Sequence, residues 1–161
     1  MVDSEAAPPG NPVVYRQIIA VLSFLAGLIS LYLHLVKVGV FGVPSCGPGG
    51  GCVAAWYSPW GSFLGADVAL IGAVGYGLLT VVALIGTRAD YEDSPAITTV
   101  IAVLVVAAVA FTWRLKYGEW VVMRIFCIWC FESFVTIHLC LVLVALDRRR
   151  LAARPNGAAG P

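Results

Sequence analysis

Four apolar runs, at residues 18–41, 63–85, 95–113 and 121–146, leave this chain few places to fold except a lipid bilayer. Each is close to or longer than the roughly 20 residues that an α-helix needs to cross the hydrocarbon core. The rest of the chain cannot cover so much apolar surface. Of 161 residues, 60% are hydrophobic and 12% charged, with a mean hydropathy of +0.92, and a water-soluble domain of this size leaves a large part of its area wet. The expected fold class is therefore all-α and integral to the membrane, a four-transmembrane-helix bundle. The first run is longer than the apolar core of a signal peptide, and no small-x-small cleavage site follows it. A net charge of +1 supplies no basic field for nucleic acid, so the lipid bilayer is the expected surroundings and nucleic acid is not an expected partner.

Between the runs the punctuation is clear. Residues 1–14 are polar, small and proline-rich, and read as a disordered leader. Residues 42–62 read as a loop, because Pro44, Pro48, Pro59 and the triple glycine at 49–51 forbid a long regular element. Ser94 and Pro95 read as the cap and first residue of the third helix. A short polar turn is expected at 114–119, and a basic, polar tail at 148–161 after a membrane domain at 15–147. An even number of crossings puts both termini on one side. That side carries six basic residues (Arg16, Arg88, Arg148, Arg149, Arg150 and Arg154) against four on the other (Lys37, Arg114, Lys116 and Arg124). The bias points to cytoplasmic termini in a multi-pass membrane protein.

The same parity brings the cysteines together. Cys46 and Cys52 lie in the loop between the first two spans, while Cys127 and Cys130 open the fourth. Both pairs therefore meet at one membrane surface. Cys127-Ile-Trp-Cys130 is a C-x-x-C at a helix start, where residues three apart share a face and unpaired backbone N–H groups favour a thiolate. Cys46 and Cys52 enclose Gly-Pro-Gly-Gly-Gly, a segment with many accessible states that suits a pair able to meet two partners. Each pair also has a bland reading, a static loop clip or two inert buried thiols. Neither His34 nor His138 stands near a cysteine at zinc-ligand spacing, so redox chemistry leads and no metal is expected. Cys140, thirteen residues after Cys127, falls on nearly the opposite helix face and reads as a core- or lipid-facing residue.

These motifs resemble the vitamin K epoxide reductase family. The resemblance rests on Phe126-Cys-Ile-Trp-Cys130, the loop pair, Ser30-Leu-Tyr-Leu-His34-Leu-Val-Lys37 on the first helix, Ser58 six residues after Cys52, and Ser62-Phe-Leu-Gly65. The short loop after Cys52 is similar to the prokaryotic branch, which implies a bacterial inner membrane, and a thioredoxin-like domain fused to the chain is not expected. The resemblance implies a quinone-dependent thiol oxidoreductase that supports disulfide formation. Its catalytic residues would be Cys46, Cys52, Cys127 and Cys130. Electrons would enter from a separate thioredoxin-like extracytoplasmic protein at Cys46/Cys52, pass from Cys52 to Cys127, and leave from Cys130 to a quinone (menaquinone, ubiquinone or phylloquinone).

Trp56, Ser58, Phe63, Phe134 and His138 are the implied quinone-binding residues. Two departures favour a plain quinone over the vitamin epoxide: Phe134 stands where animal members have a tyrosine, and Gly61 where they have an asparagine. Asp67 stands where prokaryotic relatives usually have proline, and Glu132 is a second intramembrane carboxylate. His138 offers either a proton for the quinone or an ordinary bond to a neighbouring helix. Trp56, Tyr57 and Trp60 read equally as a cap over the quinone or as interface anchors. The competing functions are a vitamin K epoxide reductase proper and a structural membrane protein with static disulfides. An unrelated four-helix oxidase family is set apart because it places its first C-x-x-C before the second helix.

Overall fold

The computed structural model describes residues 13–42, 46 and 51–153. Its elements, in chain order, are α1 (Val14–Lys37), α2 (Gly51–Tyr57), a 3-10 turn (Pro59–Gly61), β1 (Ser62–Phe63), β2 (Ala66–Asp67), α3 (Val68–Ile85), α4 (Pro95–Tyr117), a π-helical turn (Gly118–Met123) and α5 (Ile128–Ala153). Among the described residues four helical segments are long and apolar enough to span a membrane: Val14–Lys37, Val68–Ile85, Pro95–Met123 and Ile128–Ala153. The chain is an all-α four-helix membrane bundle.

Several boundaries differ from the sequence reading. The second span starts at Val68, not at residue 63, because residues 62–67 pair as a two-stranded hairpin across Leu64 and Gly65. Both turn residues have positive φ (51° and 82°), the geometry of a tight two-residue hairpin. The segment read as a loop holds the short helix α2, whose packing against neighbours compensates for its low propensity. The polar turn expected at 114–119 is helical. α4 runs to Tyr117 and continues as the π turn, so the reversal falls later, where Arg124 adopts a left-handed conformation at φ 53°. The fourth span is displaced with it to Ile128, and its helix continues through Arg148–Arg150 to Ala153 rather than ending in a tail. Of the expected leader, residues 1–12 lie outside the described residues, as do tail residues 154–161 and loop residues 43–45 and 47–50.

The outward faces are apolar, as a lipid solvent requires: Val21, Phe24, Val74, Val103 and Val142 are all exposed. The inward faces form two cores. The larger, around Ile19, Leu79, Ala83, Ile101, Val105 and Ile137, joins all four spanning helices and includes Cys140. The smaller gathers Leu33, Val36, Ala55 and Trp56 around Cys52 and Cys127 at the opposite end.

The end of the bundle that carries both termini is tied by one arginine. Arg16, fully buried, donates through Nε to Asp147 Oδ2 at 3.0 Å, and through Nη1 to the carbonyls of Gly86 and Tyr91, each at 2.7 Å. Its Nη2 reaches Thr98 Oγ1 at 2.8 Å, and Thr98 in turn donates to Asp147 at 2.6 Å. α1, α4, α5 and the α3–α4 connection thus converge on a single guanidinium. Substituting Arg16 with Met takes from the buried Asp147 one of its two cations, leaving Arg150 Nη2 at 3.2 Å, and strips the Gly86 and Tyr91 carbonyls of their donor. The expected loss is about 1–3 kcal/mol, read as a lowered melting temperature of the detergent-solubilised chain.

Candidate active site

The sequence places α2 and the head of α5 at the same end of the bundle, and close packing makes them touch. Gly51, the first residue of α2, lies against the Phe126 carbonyl so tightly that an added Cβ would overlap it. That contact brings Cys52 onto Cys127. The Cys127 carbonyl accepts the Phe131 N–H at 3.0 Å, so Cys127 is the residue that opens α5.

All five cysteines are free thiols, and four of them form a chain. The Cys52 thiol lies between Cys46, whose carbonyl accepts from it at 4.0 Å, and Cys127, and Cys127 in turn lies between Cys52 and Cys130. The middle two, Cys52 and Cys127, are completely buried, while Cys46 and Cys130 are half-buried. Only the ends of the chain can be approached: Cys46 from the loop and Cys130 from the bundle interior.

Burial, and then the bond with Cys52, pushes the Cys46 thiol up to about 12. Burial likewise raises Cys52. Cys127 is raised too, first by its hydrogen bond with Cys130 and then by burial. This reverses the expectation that a helix start favours the Cys127 thiolate. The Cys130 backbone N–H still supports the Cys127 sulfur, but the two raising effects outweigh it, and the N–H of Cys127 itself is held by Glu119 Oε1, which accepts it at 2.5 Å.

Cys130 borders a cavity of about 440 Å³ inside the bundle, within the range of small-molecule sites. Its walls are largely apolar. Its ionisable positions are Lys37 and Asp67 from α1 and the hairpin end, Tyr76 from α3, Lys116 and Glu119 from α4 and its extension, and Cys130 and Glu132 from α5, with the hydroxyls of Ser30, Thr112 and Ser133 beside them. Trp56 and Trp60 border the same space. Trp60 packs on Gly118, which has no Cβ to obstruct the indole, and the Arg114 guanidinium lies between Trp60 and Phe63, 5.0 and 4.8 Å from their ring centres. The segment after Cys52 is thereby fastened to α4.

A family model described as Vitamin K epoxide reductase family matches residues 17–145. The chain belongs to this family. It is a membrane oxidoreductase of a quinone-associated family, and the match reaches into all four spans and includes all four chained thiols.

Against this vitamin K epoxide reductase frame, the residues singled out as quinone contacts separate. Trp56 lines the cavity beside Cys130, whereas Ser58, Phe63, Phe134 and His138 do not. Ser58 instead caps the 3-10 turn, accepting the Trp60 N–H at 3.2 Å and donating to the Ala55 carbonyl at 2.8 Å. Phe63 packs edge-on against Phe111, which itself borders the cavity. Phe134 and His138 belong to an aromatic cluster with Trp113, whose indole N–H donates to His138 Nε2 at 3.1 Å. α5 turns this pair away from the cavity and toward α4. Tyr76 was not singled out by the sequence. It lies mid-helix among small residues, and only packing brings its hydroxyl to Ser133 Oγ at 2.8 Å.

Asp67 has a structural account. Its Oδ1 accepts from Lys37 Nζ and its Oδ2 pairs with His34 Nδ1, at 2.8 and 2.7 Å, while Lys37 also donates to the Gly61 carbonyl at 2.8 Å. Burial works to raise the Asp67 carboxyl, but the bonds from Lys37 and His34 outweigh it and hold the group below the usual range. A depressed folded-state pKa stabilises the fold above the unfolded value, about 3.9, and that stability is lost as pH falls through the folded value. The wild-type chain should therefore lose thermal stability below about pH 4. Asp67→Asn should start less stable at neutral pH and lose less on acidification, as measured by melting curves across pH.

Proposed function

We propose that this chain is a quinone-dependent thiol oxidase that supports disulfide formation in a separate thioredoxin-like protein. One observation carries the reading: the four thiols form an unbroken chain whose buried middle joins a loop-side thiol to a cavity-side thiol. A set of static staples needs each pair closed within itself and has no use for Cys52 in contact with Cys127.

The steps balance as exchanges. A reduced partner dithiol attacks the Cys46–Cys52 disulfide and leaves oxidised, with Cys46 and Cys52 as thiols. Cys52 then attacks the Cys127–Cys130 disulfide at Cys127, and Cys130 leaves. Cys46 displaces Cys127 from the mixed disulfide, which restores Cys46–Cys52 and leaves Cys127 and Cys130 reduced. That dithiol closes again as the quinone takes two electrons and two protons and departs as quinol.

The cavity suits such a substrate in size and in its apolar walls. Tyr76 and Lys116 are its candidate donors to a head-group oxygen, and Trp56 and Trp60 exclude water on the loop side. The basic residues at the terminal end support a cytoplasmic position for both termini and an extracytoplasmic position for the thiols.

The test uses the purified full chain with a reduced thioredoxin-like protein and a soluble quinone, followed by absorbance. Quinone loss that depends on the thioredoxin-like protein, with one disulfide formed per quinol, is the expected result. Quinone loss without disulfide formation in the protein substrate would remove the proposed coupling.

A further inference from the structure

Two buried ionisable groups beside the thiol chain have no part in the exchange steps. α4 does not stop at Tyr117 but widens into the π turn Gly118–Met123, a local irregularity common at functional sites. The turn directs Glu119 under the head of α5. Its Oε2 accepts from Lys116 Nζ at 2.7 Å, and its Oε1 accepts the Cys127 N–H at 2.5 Å. The side chains are 1% and 3% exposed. Lys116 Nζ also sits 5.0 Å from the ring centre of Trp120 and just under 6 Å from those of Phe126 and Phe131. Both residues border the cavity with Cys130. A buried ion pair contributes little net stability, because desolvation offsets the attraction, so its place beside the redox pair calls for another explanation.

We propose that the Glu119–Lys116 pair sets how readily the Cys127–Cys130 dithiol gives up its electrons, with Glu119 a positioning residue that acts through the Cys127 N–H. The inference rests on the relay described above. At a helix start, unpaired N–H groups and the dipole stabilise a thiolate and so favour the reduced form of a dithiol. Glu119 holds the N–H of Cys127 itself, leaving the Cys130 N–H to the Cys127 sulfur, and so fixes a carboxylate beside that sulfur. The negative charge works against a thiolate, and the disulfide gains relative to the dithiol. The groups that face the Cys127 thiol are Cys52 from α2 and Cys130 from α5, with Glu119 and Lys116 from the α4 extension alongside. Lys116 is the only cation in this set, and it moderates the carboxylate. The result is a dithiol poised to pass its two electrons and two protons to the quinone.

The experiment uses the full chain carrying Cys46→Ala and Cys52→Ala, which leaves the inner pair by itself. The protein is equilibrated in graded mixtures of reduced and oxidised dithiothreitol, quenched with acid, unfolded and alkylated. Mass spectrometry then gives the fraction of Cys127–Cys130 disulfide. Glu119→Gln keeps an acceptor for the Cys127 N–H but removes the charge and leaves Lys116 unopposed. It should shift the exchange equilibrium toward the dithiol by roughly tenfold. The charge-free combination Glu119→Gln with Lys116→Met, which holds no unpaired buried ion, should shift it in the same direction but less. An unchanged midpoint in Glu119→Gln, or an equal shift in both variants, overturns the inference and leaves the relay standing. A parent that forms no Cys127–Cys130 disulfide at any ratio overturns both.

Discussion

Treated with a mild oxidant such as diamide, which takes up the two electrons and two protons, the double variant Cys46→Ala/Cys130→Ala is expected to accumulate a Cys52–Cys127 disulfide that no neighbouring thiol can resolve. In an exchange, an attacked sulfur stays in the mixed disulfide only until a neighbouring thiol displaces it. Cys46 is placed to resolve Cys52, and Cys130 to resolve Cys127, because each is that sulfur's other neighbour in the chain. Removing both leaves two fully buried thiols already in contact. Closing them to the roughly 2 Å of a disulfide needs little movement and exposes nothing to solvent. Peptide mapping of the unreduced protein should show one cross-linked peptide joining α2 to the head of α5, close to stoichiometric. The complementary variant that retains Cys46 and Cys127 should give little cross-link, since Cys52 stands between them. A strong Cys46–Cys127 link with no Cys52–Cys127 link would reverse the order of the relay.

Loss of quinone reduction should be complete in Cys130→Ala and nearly absent in Cys140→Ala. Cys130 is the only one of the four chained thiols that borders the cavity. Without it the inner pair cannot close to a disulfide, so no pair of electrons can leave. Cys140 is also fully buried, but it lies in the other core, among Tyr76, Ile137 and Val144. Its replacement by Ala removes one sulfur from a packed interior and should cost stability on the order of 1 kcal/mol, with little effect on turnover. Steady-state quinone reduction, with melting curves for both variants, separates the two. Activity lost in Cys140→Ala at unchanged stability would mean that a fifth thiol takes part in the relay.

What the sequence determined by itself was the solvent, the number of crossings and the meeting of the cysteine pairs. Those follow from apolar run lengths and parity, which are local sums over the chain. The meeting of the four thiols and the buried place of Cys140 were legible for the same reason: spacing on one helix and position in one loop suffice to place them. The tertiary structure decided what depends on contact between segments far apart in sequence. Asp67 is a lone carboxylate in the sequence, and its partners appear only when α1 brings His34 and Lys37 to it. Glu119 looked like part of a polar turn, yet the π turn buries it under Cys127. Phe134 and His138 share the right stripe of α5 but face Trp113 rather than the cavity, while Tyr76, on an otherwise ordinary apolar helix, reaches it. Periodicity tells which residues share a face. Which face meets the cavity is set by how the helices rotate as they pack, and that is a balance over all their contacts at once.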